Sequence, residues 1–89
     1  MNKVTISYCP LCRWMLRAAW IAQELLSTFE EELDEVALRP SGKGVFTIEF
    51  NGELLWERVR DEGFPEAKEI KKRLRDQLDP ARDLGHIDR

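Results

Sequence analysis

The chain has 89 residues, of which 43% are hydrophobic and 35% charged, and its net charge is −3. That length supports one domain and excludes a second core, and the composition is globular rather than disordered. Acids concentrate in residues 30–62, ten against four bases, and neither a broad basic face nor an RNA-type aromatic signature points to nucleic acid.

Met1-Asn2-Lys3-Val4 leads directly into a strand-like run, with no apolar stretch of signal-peptide or membrane-span length. The expectation is a cytoplasmic, reducing location with no membrane partner. There, the two cysteines, Cys9 and Cys12, are reactive or metal-binding rather than a structural staple.

Residues 3–8 alternate, Val4, Ile6 and Tyr8 on one face and Lys3, Thr5 and Ser7 on the other, which predicts a half-buried strand. Pro10 suits a first helical position, where its missing N–H costs nothing. Helical spacing then runs from Leu11 to about Leu33. Met15, Ala19, Ala22, Leu26, Phe29 and Leu33 make the expected core stripe, with Trp14, Ala18, Ile21 and Leu25 beside it. Glu30-Glu31-Glu32 opposes the helix dipole and marks a fraying end or a turn.

Val36-Ala37-Leu38 reads as a short strand, closed by the turn Pro40-Ser41-Gly42-Lys43-Gly44. Residues 45–50 form a strand of strong β propensity. Asn51-Gly52 then predicts a type I′ hairpin, because both turn residues must accept positive φ, and residues 53–58 return as its partner. After a loop, residues 66–78 form a second helix with Ala67, Ile70, Leu74 and Leu78 inward and a basic run read as a solvated face. Pro80 stops it. The domain spans 1–80 and residues 81–89 form a polar tail.

The order β-α-β-β-β-α places the first two strands in parallel by a right-handed crossover, and the hairpin adds antiparallel strands. The predicted fold class is α/β: two helices on a four-stranded mixed sheet.

The chemistry concentrates in Tyr8-Cys9-Pro10-Leu11-Cys12-Arg13. Two cysteines three residues apart at a strand–helix junction reach disulfide geometry with little backbone movement. Unpaired N–H groups at the helix start stabilise a thiolate, and Arg13 and Arg17 add positive charge beside it. Cys9 and Cys12 are therefore the candidate catalytic pair, with Tyr8, Pro10, Arg13 and Arg17 as modulating neighbours. Two alternatives remain: half of a zinc site, which with His86 has only three ligands, and an inert pair. The expectation is no bound metal. Trp20 shares a helical face with Arg13, Arg17 and Glu24 and reads first as a ring lying over the arginine stems and second as a docking contact, whereas Trp14 and Trp56 read as core or site-wall residues. Gly42-Lys43-Gly44 lacks the following helix of a phosphate loop and reads as a turn.

Thioredoxins and glutaredoxins also place Cys-x-x-Cys between a first strand and a first helix. They carry a further helix between the second and third strands, where this chain has only Pro40 to Gly44. Along residues 3–80 the chain instead resembles the selenoprotein W-like (SelT/SelW/SelH, or Rdx) family. The resemblance rests on Val4-Thr5-Ile6-Ser7-Tyr8-Cys9-Pro10-Leu11-Cys12, Gly42-Lys43-Gly44-Val45-Phe46, Asn51-Gly52 and Gly63-Phe64-Pro65.

It implies a thioredoxin-like two-layer sandwich and a thiol-based oxidoreductase or redox-signalling role. Protein thiols or glutathione are the implied exchange partners, and no other cofactor is implied. Helix geometry makes Cys9, nearest the cap, the exposed attacking thiolate, with Cys12 resolving. Selenocysteine at the second position of some relatives implies the reverse order, and Cys9 is the expectation carried forward. The rival reading is a non-enzymatic interaction or redox-sensing module that docks through the hairpin edge or the Trp20 face, with a homodimer left open.

Overall fold

Alternation in residues 3–8 produces the central strand of a sheet. Strand β1 (Lys3–Tyr8) buries Val4, Ile6 and Tyr8 against the helices. Contrary to the half-buried expectation, Thr5 and Ser7 on its other face are buried as well, because β1 lies between two strands. The computed structural model describes residues 1–79. After β1 come α1 (Met15–Thr28), β2 (Glu35–Pro40), β3 (Phe46–Phe50), β4 (Glu53–Glu57) and α2 (Ala67–Leu78). The sheet order is β2-β1-β3-β4, with β2 parallel to β1 and the two remaining pairings antiparallel. The β-α-β-β-β-α order and four-stranded mixed sheet agree with the expectation. No helix intervenes between Pro40 and Phe46. Pro80, His86 and the predicted tail lie outside the described residues. No helix among the described residues is long and apolar enough to cross a membrane.

The hairpin turn has φ 50° at Asn51 and 86° at Gly52, as the type I′ expectation requires. Asn51 also fastens the turn to β1: Lys3 N–H donates to Asn51 Oδ1 at 2.8 Å, and Asn51 N–H donates to the Lys3 carbonyl at 2.9 Å. A register shift opposite Ile48/Glu49 leaves Leu55 as an extra residue in β4, so Leu55 and Trp56 are both buried despite being adjacent.

The bulge redirects backbone groups that the chain then caps. The Leu55 carbonyl accepts from Arg60 Nη2 at 3.1 Å and Arg73 Nη1 at 2.8 Å, and Glu57 N–H donates to Asp61 Oδ2 at 2.9 Å. Side chains of this chain thus occupy the Leu55 and Glu57 positions on the outer edge of β4, the edge at which the hairpin was expected to dock a partner. Burial pushes the Asp61 carboxyl up, but the Glu57 N–H and the Arg60 and Arg73 guanidiniums outweigh it and hold the group below its usual value. Backbone N–H groups of Arg60 and Val59 likewise lower Glu57.

Helix α1 is shorter than its sequence period at both ends. Residues 10–13 close a turn in which Arg13 N–H donates to the Pro10 carbonyl at 3.0 Å and Arg13 has φ 60°, so Pro10 is not a helical residue. After Thr28, Leu33 N–H donates to the Phe29 carbonyl in a separate turn, which carries the three glutamates clear of the helix terminus. The core stripe also differs from the expected one. Ala18, Ile21, Ala22 and Leu25 are buried, with Phe29 and Leu33, whereas Met15 is 48% exposed and Leu26 40%. The stripe is rotated because α1 rests on two supports: β1 and β2 beneath it and α2 alongside.

Helix α2 follows its expected bounds, with Ile70 and Leu74 fully buried. Its basic run is not simply a solvated face. Lys71 is buried and its Nζ donates to Glu24 Oε1 on α1 at 2.8 Å, and the Arg73 guanidinium lies 4.4 Å from the Trp56 ring centre.

Candidate active site: a cysteine pair between β1 and α1

The pairing of β1 with strands on both sides fixes the point where the chain leaves the sheet. Tyr8 is aligned between Pro40 and Phe46, is itself buried, and its carbonyl accepts from Ser41 N–H at 2.7 Å. Cys9 follows at once. It is fully buried, while Cys12 is partly exposed.

The turn brings the two Cα atoms to 5.3 Å, and the sulfurs are joined as a disulfide. Cys12 N–H donates to Cys9 Sγ at 3.2 Å, and Trp14 N–H donates to the Cys9 carbonyl at 3.4 Å. Both sulfurs therefore sit ahead of α1 rather than on it. The backbone amide aimed at Cys9 Sγ thus belongs to the turn and not to the helix. The expectation that Cys9 is the exposed sulfur is corrected: the strand end carries it into the interior and leaves Cys12 at the surface.

Of the other residues singled out, Tyr8 is a core residue that anchors the turn through its backbone. Pro10 and Arg13 bracket the turn and are exposed. Arg17 is exposed as well, and its guanidinium lies 4.0 Å from the Phe64 ring centre. His86, which a zinc site would need, lies outside the described residues.

The structure adds a wall that spacing alone did not assemble. Trp14 meets Phe64 edge-on at 4.9 Å and Phe46 at 6.4 Å, and Phe46 meets Phe64 at 5.1 Å. Arg58 lies 5.0 Å from the Trp14 ring centre and its Nε donates to the Gly44 carbonyl at 3.3 Å. Each aromatic contact is worth about 1 kcal/mol beyond area burial. This cluster pins Trp14, the residue two past Cys12, to two distant segments. The signal was present in pieces: Gly44-Val45-Phe46 and Gly63-Phe64-Pro65 each stand out in the sequence, and they converge on Trp14.

Chemically, the arrangement offers an accessible sulfur bonded to a buried one, with an amide donor directed at the buried atom. That suits exchange between dithiol and disulfide.

Comparison with known proteins agrees with this geometry. A model of the Rdx family matches residues 3–76. Migration and invasion enhancer 1 from Mus musculus is 32% identical over 81% of this chain, and its Bos taurus counterpart is 31% identical over 82%. The matched part is 61% and 62% of those proteins, so the chain spans about three-fifths of their length. The crystal structure of a Bordetella parapertussis protein superposes with a TM-score of 0.85 at 58% identity, covering 86% of this chain and 98% of that one. A selenoprotein W-related protein from Vibrio cholerae superposes with a TM-score of 0.86 at 52% identity, covering 88% of this chain and 98% of that one. Its sequence, its thioredoxin-like fold and its cysteine turn together make this chain a selenoprotein W-like member of the Rdx family.

Proposed function

We propose that the protein is a thiol–disulfide exchange protein in which Cys12 is the sulfur that meets the partner and Cys9 the one that resolves. The reading is carried by the asymmetry of the pair: Cys9 is buried and accepts the Cys12 N–H, whereas Cys12 is partly exposed. A partner thiolate attacks Cys12 Sγ, the Cys9–Cys12 bond breaks, and Cys9 leaves as a thiolate facing the Cys12 amide. A second partner thiolate then attacks the mixed disulfide, forming the partner's disulfide and releasing Cys12 as a thiolate. Run backwards, the same steps reduce a partner disulfide.

Protein thiols and glutathione both satisfy this chemistry, and a reducing cytoplasm would keep the pair in its dithiol form. The order also matches the second-position selenocysteine of some relatives. Tyr8, Pro10 and Arg13 hold the turn, and Arg17 and Arg58 hold the aromatic wall beside it.

Titration of the reduced protein against glutathione buffers, read by alkylation and mass spectrometry, tests this. An intramolecular Cys9–Cys12 disulfide is expected to form with a single midpoint. Its absence at every poise overturns the redox reading. In the same assay Cys9→Ser should accumulate a mixed disulfide on Cys12, and Cys12→Ser should accumulate far less on buried Cys9.

A further inference from the structure

The two edges of the sheet are treated differently. On β4, Arg60 and Arg73 occupy the Leu55 carbonyl and Asp61 the Glu57 N–H. On the other side, among the described residues, β2 pairs only with β1. Glu35 N–H reaches the Asn2 carbonyl and Ser41 N–H the Tyr8 carbonyl, so odd-numbered residues of β2 turn toward β1. By the two-residue repeat, Val36 and Leu38 direct both N–H and C=O outward. Among the described residues nothing bonds these groups. Pro40, also outward, has no N–H to leave unpaired.

The flank above this edge is apolar. Val36 and Leu38 are aligned with core residues Val4 and Ile6 and so lie on the helix side of the sheet, yet Leu38 is 39% exposed. Glu24 faces α2 through its contact with Lys71. The opposite flank of α1, carrying Met15 and Leu26, therefore overlooks β2. These half-exposed residues belong to the stripe that periodicity assigned to the core.

From these observations we propose that β2 is a two-fold interface through which two copies of this chain pair antiparallel, centred on Ala37, into one continuous eight-stranded sheet. In that register Val36 of each copy faces Leu38 of the other. Their outward N–H and C=O groups form four reciprocal hydrogen bonds. Glu35, which meets Lys3 Nζ of its own chain at 3.5 Å in an exposed pair, faces Arg39 of the other copy on the open side of the sheet, and Arg39 has no ion pair within the chain among the described residues. Pro40 falls at the end of the ladder. Moving the centre to Leu38 would set Pro40 against Val36 and leave a carbonyl without a donor, and moving it to Val36 would separate the charges. Self-complementary charge selects a second copy over an unrelated strand. The proposal does not depend on the cysteine chemistry.

Sedimentation equilibrium of the full chain, in reductant to exclude intermolecular disulfides, tests the interface. The wild type is expected to dimerise. Glu35→Arg sets two arginines against each other at both contacts, and Arg39→Glu sets two glutamates against each other. Each variant alone should therefore self-associate about tenfold more weakly or worse. An equimolar mixture of the two restores opposite-charge contacts and should dimerise again. Circular dichroism verifies that each variant is folded. A monomeric wild type at all accessible concentrations overturns the proposal. So do single variants that associate like the wild type, or a mixture that stays monomeric. Association only with another protein's strand would assign the edge to a different partner and overturn it equally.

Discussion

The backbone N–H of Cys12 points at the sulfur of Cys9, 3.2 Å away, so each cysteine of the pair is defined by the other. Cys12 supplies the amide and stands at the surface; Cys9 supplies the sulfur that receives it and is buried. The division of labour proposed for the attacking and resolving sulfurs rests on this contact and on that difference in burial. In the reduced protein, brief treatment with iodoacetamide should modify Cys12 before Cys9. Peptide mass spectrometry over a time course measures the order, and faster labelling of Cys9 would reverse the assigned roles.

The aromatic wall should be energetically coupled. Phe64→Ala removes two edge-on contacts and the ring beneath Arg17, and is expected to cost about 2 kcal/mol. A double-mutant cycle of Trp14→Ala and Phe64→Ala in urea unfolding should return a coupling of about 1 kcal/mol. Strict additivity would show that the two rings stabilise the protein independently.

The Lys71–Glu24 bridge predicts an asymmetric pair of substitutions. Glu24→Ala leaves a buried ammonium without its partner and should destabilise by about 2 kcal/mol or more. Lys71→Met removes the charge and keeps the stem's packing, and should be nearly neutral. Urea midpoints of the two variants measure the contrast; equal losses would place the energy in the ion pair rather than in the desolvation of Lys71.

Acid should weaken the β4 edge. Asp61 and Glu57 both have lowered folded-state values, so the unfolded chain binds protons more readily than the folded one. Their contribution is fully present above the ordinary carboxylate range of about 4 and is lost as pH falls through the folded values. Urea midpoints from pH 7 down to about pH 3 should therefore decline more steeply for the wild type than for Asp61→Asn, which starts less stable because it disturbs the Arg60 and Arg73 contacts. Parallel acid slopes would remove Asp61 from the pH response.

Much of the fold is legible because its signals are local. Strand β1 shows its two-residue alternation, Asn51-Gly52 names the hairpin through the φ values it tolerates, and Ile70 and Leu74 mark the inner face of α2. The helix-start signal at Pro10 misleads because residues 10–13 close into a separate turn, with Arg13 N–H on the Pro10 carbonyl and Arg13 at φ 60°. The helix begins only at Met15. The bulge at Leu55 has no local signal: it becomes visible only when β4 is laid beside β3 and Arg60 and Arg73 are found at the freed carbonyl.

The order of elements, the hairpin, the family and the location of the cysteine pair all follow from the chain alone, since each depends on residues close together or on a motif. Packing settles the rest: which sulfur faces solvent, which stripe of α1 is core, and why Lys71 is buried while Arg39 is not. Those outcomes depend on what lies across the sheet or beside the helix. Periodicity specifies that a face is apolar, but only the assembled fold specifies whether anything covers it.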